Sequence, residues 1–124
     1  ETNPRDLVAG NNLAWLLATK FNRPEEAVEI VEKVRGNSKV EQLPPAFIDT
    51  MIDCHQRADH TDKAFQLAKE AVGIYPDEGS LLYRYGVLLA GREPTQAKQM
   101  LSRALQLDLS EENAAEAKRI LADL

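Results

Sequence analysis

One spacing occurs three times in this chain and decides most of what it can fold into. Ala27-x3-Val31-x2-Val34, Ala64-x3-Ala68-x2-Ala71 and Ala97-x3-Leu101-x2-Ala104 start 37 and then 33 residues apart. Steps of four and three put all three side chains of each group on one helix face, and the leading Ala lets a neighbouring helix approach closely. A second group precedes each of them: Leu13-Ala14-x2-Leu17, Met51-Ile52-x2-His55 and Tyr85-Gly86-x2-Leu89, starting 12 to 14 residues before the matching Ala. The sequence therefore reads as one helix–turn–helix unit used three times, the pattern of an array in which each unit hides its neighbour's apolar flank.

Apolar residues recur at three and four rather than alternating, so strands are not expected, and the breakers divide the chain into seven helices at about 5–20, 24–35, 45–58, 61–75, 79–91, 94–107 and 110–123. Pro24 and Pro94 stand where a first-turn proline sacrifices no intrahelical hydrogen bond. Gly36 follows Val34 and Arg35, where a left-handed residue after a helix costs glycine least, and Pro76 cannot continue the helix before it. Ser110, followed by Glu111 and Glu112, supplies a hydroxyl cap and carboxylates at the positive end of the last helix.

These residues resemble the tetratricopeptide repeat family, whose 34-residue pattern sets a large residue, then Leu, Gly or Ala and an aromatic on the first helix, with Ala, a large residue, Ala and Pro on the second. Ile48, Met51, Ala64, Ala68, Ala71 and Pro76 follow that pattern without a gap. Leu82, Tyr85, Gly86, Leu89, Ala97, Leu101 and Ala104 follow it with a turn one residue short and Leu109 in place of the proline. The first unit offers Leu13, Ala14, Leu17 and Ala27, with an extra turn residue and about four more at Gly36–Pro44, an insertion that bears on its stacking angle. The resemblance implies an all-α, right-handed helical-repeat solenoid over 1–124 as a single domain, with repeats at about 7–44, 45–78 and 79–111. Residues 110–123, carrying Ala117, Ile120 and Leu121, are expected to cap the last apolar face. A finer similarity links Asn12–Ala18, Pro24–Ala27 and Phe47–Met51 to the C-terminal repeats of bacterial proteins of exopolysaccharide secretion and exosortase systems.

Family members bind a peptide or partner helix in a concave groove lined by first helices. Carried over position by position, the groove would be lined by Asn11 and Trp15, with Val8 and Ala18, from the first unit; by Asp49, Asp53 and Gln56 from the second; and by Tyr83, Arg84 and Val87, with Ser80, from the third. Trp15 and Tyr83 bring aromatic area of the kind that dominates interface energies, and Asp49 and Asp53, four apart, would favour a basic or mixed apolar–basic ligand. Trp15 alternatively covers Leu7 or a neighbouring helix, and the two Asp alternatively form a solvated face. The carboxylate clamp of the co-chaperone members is not expected, since its places hold Asn11, Trp15, Thr50, Ser80 and Arg84, of which only the arginine matches.

Other chemistries find little. With 15 basic against 20 acidic side chains and a net charge of −5, attraction to nucleic acid is disfavoured, and no apolar run approaches the ~20 residues that span a bilayer. Cys54, His55 and His60 lie close in sequence, but neighbours on a helix point ~100° apart and no further Cys or His completes a zinc tetrahedron. A buried thiol at Cys54 and a core imidazole at His55 are expected, with no metal and no cofactor. No phosphate loop, nucleophile elbow or His-Glu-x-x-His occurs, so an enzyme is not expected. Two functions remain: a module binding a protein or peptide in an assembly or scaffold role, and a structural spacer whose terminal faces stack on further repeats or on a second copy. The opening Glu1 fits a processed or excised piece, and the sequence does not disclose a compartment.

Overall fold

The computed structural model describes residues 4–124. Among them are seven α-helices and no strand: α1 Pro4–Thr19, α2 Pro24–Arg35, α3 Pro45–Arg57, α4 Thr61–Ile74, α5 Gly79–Leu89, α6 Pro94–Leu105 and α7 Glu111–Asp123. The chain is all-α, and each helix begins and ends within two residues of the span read from the sequence. Local chemistry explains the boundaries. Pro24, Pro45 and Pro94 occupy first-turn positions of α2, α3 and α6. The Ser110 hydroxyl accepts the Asn113 amide at 3.1 Å and caps α7. Gly36 takes φ 58° after α2 and donates its amide to the Glu32 carbonyl at 3.0 Å.

The end of α3 has a consequence beyond the backbone. Asp59 adopts φ 63°, its amide bonds the Gln56 carbonyl at 3.1 Å, and the His60 amide reaches back to the His55 carbonyl at 2.8 Å. This paired closure is the Schellman arrangement, which places the side chains five apart across the helix end against each other. Here those two side chains are the imidazoles of His55 and His60.

Contacts divide the chain into two compact units, one ending at Leu67 and the other Ala68–Leu124, the boundary falling inside α4. In the first unit α1, α2 and α3 pack pairwise, over a core that includes Ala14, Ala27, Val31, Phe47, Ile48 and Met51. The insertion Gly36–Pro44 is not a loose loop: a 3-10 turn at Val40–Gln42 lets Val40 and Leu43 bury completely. In the second unit α5 and α6 form the tightest pair, and α7 packs on both. Its core joins Leu82, Tyr83, Leu101, Ala104 and Ala117, with Ile120, Leu121 and Leu124 against it. A Cβ on Gly86 would lie 2.7 Å from Leu101 Cγ and Cδ2, so only glycine allows α5 this close to α6.

Burial follows the repeated spacing. Ala27, Ala64 and Ala97 are all buried, as are Val31, Ala68 and Leu101. The rule lapses in the first copy alone. Met51 and Tyr85 are buried while their counterpart Leu13 is exposed, and Ala71 and Ala104 are buried while Val34 is only partly covered.

Candidate interaction surface

Among the described residues, the exposed large hydrophobic side chains all fall between positions 8 and 21: Val8 at 63% exposure, Leu13 at 48%, Trp15 at 45%, Leu16 at 40% and Phe21 at 62%. Four of them ride on α1. That helix turns Gly10, Ala14 and Ala18 to the interior. At 100° per residue, Leu13 then flanks the buried stripe on one side, Val8 and Trp15, seven apart, flank it on the other, and Leu16 points away from it. Scattered single apolar residues need no explanation on a protein surface; four on one helix make α1 a candidate contact edge. An open cleft of about 1220 Å³ lies on the Leu13 side of α1, with Leu7, Gly10 and Leu13 facing Ile30, Lys33 and Val34 of α2.

The residues expected in a groove have diverse surroundings. In the first unit, Trp15 is half exposed, with Lys20 Nζ 5.7 Å from its ring centroid. Asn11 is partly buried, and its Oδ1 is enclosed without a hydrogen-bond partner, a cost of about 1–3 kcal/mol. Ala18 is buried and offers no surface. Asp49 and Gln56 are partly exposed on α3, whereas Asp53 is buried and accepts two bonds from Arg57 Nε, both 3.1 Å. In the second unit, Tyr83 is 7% exposed and belongs to the core, with the Arg84 guanidinium 5.5 Å from its ring centroid. Val87 also packs against that core. Tyr83 therefore offers little area to a ligand, because α6 and α7 supply Leu101, Ala104 and Ala117 to cover it. The charge of Asp53 is already answered within its own helix.

A constellation that the spacing argument did not assemble lies in the first unit. His55, buried on α3, has Nε2 2.8 Å from Glu32 Oε2 of α2 and Nδ1 3.1 Å from His60 Nδ1. His60, in the α3–α4 turn, has Nε2 3.5 Å from Glu25 Oε2 at the start of α2. The hydrogen bond from His55 holds the Glu32 carboxyl below its ordinary range, burial opposing it and the charges of His55, Arg35 and Lys63 adding to it. Neighbouring positions such as Cys54 and His55 do point apart on the helix; the turn is what brings His60 round. Cys54 is buried and forms no disulfide. Among the described residues no three His, Cys, Asp or Glu side chains converge as a metal ion requires, and no helix is long and apolar enough to cross a membrane.

Comparison with protein-family models, with curated proteins and with solved structures finds no match.

Proposed function

We propose that this chain is a helical-repeat protein–protein interaction module of the tetratricopeptide kind, with α1 as its contact edge and an assembly or scaffold role. The observation that carries this reading is the confinement of the exposed large hydrophobics to residues 8–21. Repetition indicates what belongs there. Met51, the counterpart of Leu13, is buried in a unit where both α1 and α2 pack on α3. The fitting partner for Leu13 and Leu16 is accordingly an amphipathic helix pair offering an apolar face of the same kind. A ligand lying along the groove positions instead would find Tyr83 buried and Asp53 paired, which favours the edge over the groove.

A photo-crosslinking residue placed at position 13 or 16, and separately at the exposed position 99 of α6, tests this in the cells that make the protein. The α1 positions should yield one discrete adduct with a helical protein, and position 99 none. Equal labelling from both helices, or none from α1, would overturn the reading.

A further inference from the structure

The geometry of the four-membered chain Glu32–His55–His60–Glu25 limits how many protons it can hold. Each imidazole directs Nε2 at a carboxylate, 2.8 Å for His55 with Glu32 and 3.5 Å for His60 with Glu25, so a proton on each Nε2 is favoured. The two Nδ1 atoms then face each other at 3.1 Å. A nitrogen pair at that distance is a hydrogen bond only if one atom carries a proton and the other offers its lone pair. The fully bonded arrangement holds three ring protons and one positive charge between two carboxylates. Loss of the His60 Nε2 proton, on the more exposed ring, leaves a neutral pair whose Nδ1–H···Nδ1 contact survives. A fourth ring proton is different. It sets two N–H groups head to head on two imidazolium ions, and the contact must open.

We propose that His55 and His60 form an acid-sensitive latch: a single proton between their Nδ1 atoms ties the α3–α4 turn to α2, and uptake of a second parts the rings. The two ends of the latch grip different points of α2, Glu25 in its first turn and Glu32 two turns on. Opening it frees the turn from the helix it fastens. The charged groups around it are Glu25, Glu32 and Arg35 of α2 and Lys63 of α4, with Asp59 and Asp62 flanking His60 in sequence. Arg35 and Lys63 act on Glu32, and the carboxylates that the two imidazoles meet are Glu32 and Glu25. This inference does not depend on the partner surface of α1.

The sign of the pH effect follows from proton counting. In the unfolded chain both imidazoles take up a proton near their ordinary value of ~6.5, while the folded pair accepts only one without opening. The unfolded state therefore binds one proton more below that value, and the folding equilibrium falls about tenfold per pH unit beyond it. Urea unfolding of the full chain at pH 7.5, 6.5 and 5.5, beside His60→Gln, reads this while the carboxylates stay ionised. The wild type should lose about fivefold more of its folding equilibrium than His60→Gln between pH 6.5 and 5.5, because an amide accepts from His55 and takes no proton. Parallel losses would overturn the latch. Imidazole nitrogen–proton NMR spectra of the wild type need no variant: one Nδ1 proton for two rings is expected at pH 7. Two Nδ1 protons at pH 5.5 with the α2–α3 contacts intact would refute it. So would micromolar binding of Zn²⁺ alone with loss of the Nδ1 proton, which would make the pair a metal site.

Discussion

Leu13→Gln combined with Leu16→Gln separates the contact edge of α1 from the fold beneath it. Glutamine matches leucine closely in length and helix propensity, so α1 itself should persist. Full burial of a leucine side chain contributes roughly 1.5–3 kcal/mol. Leu13 and Leu16 are 48% and 40% exposed. Covering what remains open is then worth about 1 kcal/mol for each, and losing both weakens partner binding by about 2 kcal/mol, roughly 30-fold in Kd. The cost to folding is smaller than a core truncation, because the glutamine stems keep part of the contact with α2. The assay is fluorescence anisotropy against the partner recovered by crosslinking, at fixed salt, with Gln99→Ala on α6 as the control and a thermal melt run in parallel. A folded double variant whose Kd stays within threefold of wild type would refute the assignment of the contact to this edge.

Tyr83→Ala should cost roughly 3 kcal/mol in urea unfolding, as for other buried aromatics, whereas half-exposed Trp15→Ala should cost clearly less and weaken partner binding more. Gly86→Ala gains about 1 kcal/mol of helix propensity but forces a Cβ to 2.7 Å from Leu101, so a net loss of about 1 kcal/mol and a lower Tm are expected; a higher Tm would show that α5 and α6 have room to spare. Glu32→Gln should destabilise at neutral pH and lose its effect in acid. The folded carboxyl sits below its ordinary 4.5, so the unfolded state takes up the proton first, and the stabilisation is present above 4.5 and lost as pH falls through the folded value. A wild-type-minus-variant difference that persists to pH 2.5 would contradict that sign.

The helices were legible because their ends are written in local chemistry: Pro24, Pro94, Gly36 and Ser110 each act through the backbone of the same segment. Burial was legible in period but not in extent. Leu13 and Met51 occupy the same place in the pattern, and the pattern says which way a side chain points, not whether anything meets it. Tyr83 shows the converse, since the residues that cover it, Leu101 and Ala117, come from helices further along the chain. The pairing of Asp53 with Arg57 could be read in advance, as an acid four residues before an arginine is the favoured helical ion pair. The His55–His60 contact required a turn residue at positive φ, and nothing in the side-chain spacing of an uninterrupted helix brings positions five apart together.

The first and last helices of the described residues differ in what they expose, and the difference bears on the partner. A terminal helix of a repeat array stays soluble when its outer face is polar. On α7 the exposed positions are Glu111, Glu112, Ala115, Lys118, Arg119, Ala122 and Asp123, while Ala117 is buried, so its outer face meets that condition. On α1 the exposed positions include Val8, Leu13, Trp15 and Leu16, and it does not. Head-to-tail growth of copies would press those four side chains onto carboxylates, a lysine and an arginine, desolvating charges that α1 could answer with Arg5 and Asp6 alone. Open-ended polymers are therefore not expected, and sedimentation velocity over a hundredfold concentration range should show no progressive growth. If such growth appeared and Leu16→Gln abolished it, the polar face of α7 would have to be accepting α1 after all, and the requirement for an apolar partner surface would fall.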